Sequence, residues 1–218
     1  MRTNGLAAGI YFLGMDTIFL LSPARCDGRR AKILLNPGAS FELARRVREE
    51  GASIGEVFAF MSGLYFRGKL TYARRFGRRS DNNYSSFVIT TDRGLVAPDT
   101  IIGRDDLLAF GTVDIAEAGE KYLNPLRRDL RALADDAATG ARVVLLGSIA
   151  TGKYVDALIE TFGERLLFPS AFVGRGDMSR GGLLLRSAAD GVELDYAPVL
   201  GAVRHGKRPP KLPPLRRR

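Results

Sequence analysis

The sequence predicts an α/β fold, a three-layer sandwich around a mostly parallel central sheet. Two apolar runs of strand length, Thr17 to Leu21 and Arg142 to Leu146, each end in turn-forming residues. Longer segments between and after them carry apolar residues at helical spacing, such as Leu123, Leu126, Leu130 and Leu133. Strands and helices therefore alternate, which is the pattern of βαβ units.

The elements follow in order. Residues 1–14 are glycine-rich and read as a loosely ordered entry. Thr17 to Leu21 is β-branched and apolar, a buried strand closed by Ser22-Pro23. Lys32 to Leu35 is a second apolar run and reads as another early strand, stopped by Asn36-Pro37-Gly38. Ser40 can cap a helix from Phe41 to Glu50 that Gly51 ends. Ile54 to Met61 and Tyr65 to Phe76 read as helices around a break at Gly63. A polar loop over 77–86 leads to a strand, Phe87 to Thr91, and then to Asp92-Arg93-Gly94. Asp99 to Gly111 is irregular or a short helix, and Ala116 to Ala137 is a long helix. The strand Arg142 to Leu146 is closed by Gly147-Ser148, and Tyr154 to Phe162 is helical. Leu166 to Phe168 is a strand stopped by Pro169. Gly182 to Ser187 and Val192 to Tyr196 read as a late strand pair around Asp190-Gly191, a turn signal. Residues 1–202 form one domain in this reading, and 203–218 a basic, proline-rich tail that should be extended.

Composition narrows the function classes. The chain has 218 residues, 45% of them hydrophobic and 26% charged, a balance that supports a real core. No apolar run has membrane-helix length, and the N-terminus lacks a signal pattern, so a cytoplasmic protein is expected. With one cysteine, Cys26, and one histidine, His205, neither a disulfide framework nor a zinc site is expected, and no cofactor is implied. The net charge of +9 points to a polyanionic partner. Seven of the basic residues, and no acid, lie between Val203 and Arg218, which leaves the body at only +2. A monomer bound to nucleic acid is the simplest expectation.

Residues 142–186 carry the most chemistry. A strand ends in Gly-Ser, a helix follows, and a second strand ends in Phe168-Pro169-Ser170. The next loop holds Arg175, Gly176, Asp177, Met178, Ser179 and Arg180. Its glycines permit close backbone approach, and its hydroxyls and guanidinium groups suit phosphate. A charged surface loop would look the same. Residues 147–153 come close to a phosphate-binding P-loop, but Tyr154 follows Lys153 where a serine or threonine is required, which argues against a nucleoside triphosphatase. His205 in the tail is a poor base for a Ser-His-Asp triad.

The order of these features resembles the uracil-DNA-glycosylase-like superfamily. There a Gly-Ser-type turn, a helix and a strand precede a His-Pro-Ser loop with a nearby Arg-Gly, and that loop enters the DNA minor groove. The resemblance places Pro169 and Ser170 on Pro-Ser, and Arg175-Gly176 on Arg-Gly. Phe168 replaces the histidine that contacts uracil, which points away from uracil and towards a modified base. The superfamily's early motif, Gly-Ile-Asn-Pro-Gly in its mismatch-specific branch, puts Asn36 on the catalytic asparagine. A competing first motif, Ser22 to Gly28, makes Asp27 the water-activating carboxylate, and the two remain alternatives. Asn-Pro-Gly is equally an ordinary turn, and Asp27 equally an exposed loop acid.

The middle of the chain, SGLYFRGKLTYARRFG and then FVITTDRGLVAPDTII, resembles small bacterial domains related to the peroxide-stress DNA-binding family. Asp92, Arg93, Gly94, Pro98 and Asp99 match its last segment. Tyr65, Phe66 and Tyr72 are either helix core or a stacking surface.

These resemblances imply a DNA glycosylase that flips a base and cleaves its N-glycosidic bond, leaving an abasic site. The expected catalytic residues are Asn36 or Asp27, and the expected base pocket is Ser22, Tyr65, Phe66, Asp92, Arg93 and Phe168. The expected DNA-binding set is Ser148, Lys153, Ser170, Arg175, Gly176, Asp177, Met178, Ser179 and Arg180, with Met178 or Phe172 as an apolar wedge. Similarity to antiviral glycosylases that excise phage-modified cytosines makes glucosylated hydroxymethylcytosine the candidate base. The alternatives are a non-enzymatic DNA-binding stress protein and a tRNA- or nucleoside-base-processing enzyme.

Overall fold

The computed structural model describes residues 15–212 apart from 82, 114–118, 139 and 151, and leaves out the side chain of Lys153. The glycine-rich entry over 1–14 and the last six residues of the tail lie outside the described residues, as do 116–118 at the start of the expected long helix.

The first half of the chain builds one flank. β1 (Thr17–Leu21) is followed by α1 (Arg29–Leu35), α2 (Glu42–Glu49), β2 (Ala52–Ser53), α3 (Ile54–Ser62) and α4 (Leu64–Phe76). The Ser53 hydroxyl accepts from the Glu56 amide, 3.3 Å, and caps α3. Next come β3 (Ser86–Ile89), β4 (Leu95–Val96), β5 (Ile101–Ile102) and α5 (Arg104–Thr112). The second half adds α6 (Gly119–Asp136), β6 (Arg142–Leu146), α7 (Gly152–Phe162), β7 (Leu166–Pro169), α8 (Asp177–Asp190) and β8 (Tyr196–Pro198).

Six strands form one mixed sheet in the order β4-β3-β1-β6-β7-β8. β3, β1, β6 and β7 are parallel, and the edge strands β4 and β8 are antiparallel to their neighbours. β2 and β5 pair separately as a two-stranded ribbon. All five residues of β1 are buried, which requires cover on both faces of the sheet. Phe19 meets Tyr72 of α4 edge-on, with ring centroids 5.5 Å apart. α4 packs against β1 and, along its length, against α8, while α6 packs on α7. This is consistent with a three-layer α/β arrangement. Burial of a ring such as Phe19 is worth about 2–3 kcal/mol.

Three expectations need correction. Ser40 does not cap α2, whose N-cap is Phe41 with no side-chain hydrogen bond. Lys32 to Leu35 is the end of helix α1, not a strand: Ala31 and Leu34 are buried three apart, while Ile33 is 42% exposed. That period belongs to a helix face. Gly182 to Ser187 lies inside α8, and of the second expected strand only Tyr196 is extended, at the start of β8. Asp190-Gly191 is therefore no hairpin turn. Gly191, with φ of 71°, is the left-handed C-cap of α8.

The crossing of α4 and α8 explains the glycines that made this segment read as non-helical. A Cβ on Gly181 would stand 2.6 Å from the Leu64 carbonyl oxygen, and one on Gly68 would stand 2.7 Å from that of Gly181. The two backbones touch at these positions, which brings the N-terminal turns of α8 beside the middle of α4.

Candidate active site

The sheet changes winding direction at its centre. From β1 the chain reaches β3 on one side, then crosses to β6 and β7 on the other. The carboxyl ends of β1 and β6 flank this switch point, where open α/β sheets bind ligands. β1 delivers Ser22 there and β6 delivers Gly147-Ser148. Gly147 is required by space, because a Cβ would sit 2.8 Å from that of Ser22 and 2.9 Å from the Tyr154 hydroxyl.

Beneath Ser22 lies Lys69 of α4. Its side chain crosses the core and is only 1% exposed. Nζ donates to the Ser22 carbonyl oxygen at 2.7 Å and to Ser22 Oγ at 2.9 Å. The Tyr65 and Phe66 rings lie 4.6 and 4.7 Å from the same nitrogen. Among the described residues no carboxylate pairs with it directly. Asp177 acts on it only through space, and Arg180 opposes that effect. Burial therefore decides its titration and lowers the amine to about 7. Aromatic faces and a carbonyl offset part of the desolvation, but they do not replace a counter-ion.

Three tyrosine and arginine groups surround this amine. The Tyr65 hydroxyl is buried and faces the Arg180 guanidinium, and burial pushes its ionisation upward. Tyr154 of α7 donates to the Ser148 carbonyl at 3.1 Å and faces Ser22, and burial raises it to about 12. Arg180 of α8 donates to the Phe172 carbonyl at 3.2 and 3.3 Å and stacks over the Phe172 ring. Phe172 in turn meets Tyr65 edge-on at 6.3 Å. The segment from Ser170 to Arg180 thus closes over the Lys69 cluster from the α8 side.

Of the expected base pocket, Ser22, Tyr65 and Phe66 come together around Lys69. Asp92 and Arg93 sit on the turn after β3, where Arg93 binds Asp92 at 2.9 Å and Asp106 at 2.7 Å. The Cys26 thiol is pushed up to about 12 by burial and then by Asp27 and Asp92, so the Ser22–Gly28 loop adjoins that turn. Phe168 is buried in β7.

The expected catalytic pair is placed differently. Asn36 caps the end of α1, not a strand, and its side-chain oxygen accepts from the Gly38 amide at 2.9 Å. Asp27 is exposed and paired with Arg25 at 2.8 Å, which holds its carboxyl below the usual range. Neither side chain reaches Lys69 through a hydrogen bond among the described contacts.

Of the expected DNA-binding residues, Ser170 and Arg175 to Arg180 lie around the N-terminus of α8, whereas Ser148 follows β6 and Lys153 lies on α7. Ser170 Oγ donates to the Asp195 carbonyl, and Gly176 precedes α8 as its N-cap. Arg175 donates to the Ala171 carbonyl, Ser179 Oγ and the Pro210 carbonyl. Asp177 stands 3.8 Å from Arg180 in the first turn of α8. Met178 is 69% exposed, whereas Phe172 is buried and so placed to pack, not to wedge. Ser148 Oγ accepts from the Ala150 amide. Lys153 belongs to α7, with its side chain outside the described residues. The start of the tail is not a free arm. Lys207 and Gly206 run against Gly174, and Arg208 to Leu212 line a groove of about 290 Å³ with Arg175, Met178 and Ser179.

A larger surface depression, about 1000 Å³, lies between α6 and α7 and is lined by Arg127, Arg128, Arg131 and Glu160. It holds none of the residues above, and Arg127 is paired with Glu160 at 3.3 Å. No group of histidine, cysteine and acidic residues among the described residues could hold a metal ion. No helix among them is long and apolar enough to cross a membrane.

Sequence reasoning missed Lys69 and Tyr154. Lys69 lies four residues after Tyr65, three after Phe66 and three before Tyr72, so it stands inside the apolar stripe of α4. A lysine at such a position was the available signal. No protein-family model, curated protein or solved structure matches the chain.

Proposed function

We propose that the chain is a DNA glycosylase of the uracil-DNA-glycosylase-like type that removes a modified base, with its chemistry at the carboxyl ends of β1 and β6. The observation that carries the reading is the Lys69 cluster at the switch point: a buried amine with Ser22, Tyr65 and Tyr154 and no direct carboxylate partner among the described residues. Buried ionisable groups whose titration is displaced cluster at functional sites. Departure of the base builds positive charge on the sugar, and Asp177, which acts on Lys69 through space, is the carboxylate available to offset it. Ser170, Arg175, Ser179 and Arg180 would present the DNA backbone by contacts that carry no base information.

The test uses phage DNAs with unmodified, hydroxymethylated and glucosylated cytosine. Released base is read by mass spectrometry and abasic sites by alkali cleavage. Release from a modified DNA is expected, glucosylated hydroxymethylcytosine first. A second reading, a DNA-binding protein without catalysis, is favoured by the closure over Lys69, which is only 1% exposed. Tight binding of every DNA with no base released would select that reading.

A further inference from the structure

We propose that Lys69 is an imine-forming lysine whose amine condenses with an aldehyde, in the setting proposed above the C1′ aldehyde of a ring-opened abasic sugar. The identity of that aldehyde rests on the glycosylase reading; the reactive amine does not.

The geometry supplies what such a lysine needs. Nζ is held at a fixed point by two acceptors of one residue, Ser22, at 2.7 and 2.9 Å. The Tyr65 and Phe66 rings exclude water from it. The charged groups facing it from the packed elements are Asp177 and Arg180, both on α8, which act in opposite directions, while the tyrosines Tyr65 and Tyr154 are held neutral by burial. Lys69 is therefore an amine with a large neutral fraction at neutral pH, the state in which a lysine is nucleophilic.

The step balances without a redox partner. The Nζ lone pair forms a bond to the aldehyde carbon, giving a carbinolamine. The carbonyl oxygen then leaves as water, taking up two protons as Nζ gives up its two, and a C=N bond remains. The Tyr65 hydroxyl, buried on the ring that faces Nζ and beside the Arg180 guanidinium, is placed in the cluster to pass a proton to the departing hydroxyl. Access requires the Ser170–Arg180 cover to open.

The experiment is reductive trapping of the full chain with cyanoborohydride, using glycolaldehyde and a duplex carrying one preformed abasic site, followed by peptide mass mapping. An adduct on Lys69 is expected with both probes, half-maximal near pH 7. Lys69→Arg removes the nucleophilic amine and should cut trapping at least 100-fold. The wild-type pH profile keeps the test valid if that variant folds poorly. Labelling confined to exposed lysines overturns the proposal. An adduct with glycolaldehyde but not with abasic DNA overturns the assignment to an abasic sugar. Trapping of abasic DNA by a protein that releases no base supports the reactive amine and counts against the glycosylase reading alone.

Discussion

The two ends of the central strand hold polar clusters of opposite design. At the amino end, Arg142 has the Thr17 hydroxyl at 2.8 Å and the Glu193 carboxylate at 3.5 Å. Tyr72 and Tyr196 share a 2.6 Å hydrogen bond, Tyr196 donates to Glu193, and the Leu194 amide donates to Tyr72. Asp16 accepts from the Ser80 amide and hydroxyl. The half-buried cation there has a counter-ion. At the carboxyl end Lys69 is more deeply buried and has only neutral acceptors and rings. A paired network ties down the structure, whereas an uncompensated amine lowers stability and is kept where it is useful. The chain thus holds a paired polar network beside Thr17 and Arg142 and an uncompensated amine beneath Ser22.

Three substitutions can break or sharpen this contrast. The largest effect is expected from Gly181→Val, which forces side-chain atoms into the Leu64 carbonyl at the α4–α8 crossing. It should cost about 3 kcal/mol in denaturant unfolding, because overpacking of this kind shifts backbone. A neutral result would mean that the crossing does not position Lys69.

Lys69→Met comes next and is best read against pH. The folded amine ionises near 7 and the unfolded one near its ordinary value of 10.5, so between them the unfolded chain binds more protons. Wild-type stability should rise with pH across that window, and the gain is lost as pH falls through 7. Relative to Lys69→Met, wild type should gain about 2 kcal/mol from pH 7 to pH 9. Parallel pH curves for the two proteins would show an ordinary lysine.

The smallest effect belongs to Tyr72→Phe at the amino end. It removes the acceptor of the Leu194 amide and the partner of Tyr196, at a cost of about 1–2 kcal/mol by thermal unfolding. It should leave aldehyde trapping at Lys69 unchanged. A loss of trapping would join the two ends into one site.

The amino-acid pattern disclosed the strands better than the site. Thr17–Leu21 and Arg142–Leu146 are legible because β-branched runs there end at turn residues, and both are central strands. Lys32–Leu35 misleads because four residues cannot separate a strand from one helical turn. Residues 182–196 mislead for a different reason. Gly181 and Gly182 look like a break, yet Gly181 serves helix contact, and Asp190-Gly191 looks like a hairpin yet ends a helix. Ser22, Tyr65 and Phe66 were legible as pocket candidates from loop position and aromatic character. Lys69 was not, because a lone lysine normally marks a solvated face and only the helix phase shows that it points inward.

The most direct measurement of the central claim is the titration of Lys69 itself in the folded chain, followed by the ¹³Cε and ¹⁵Nζ chemical shifts of labelled lysine and assigned with Lys69→Arg. The account predicts ionisation near pH 7. A Lys69 that titrates near the ordinary lysine value of 10.5 would contradict it.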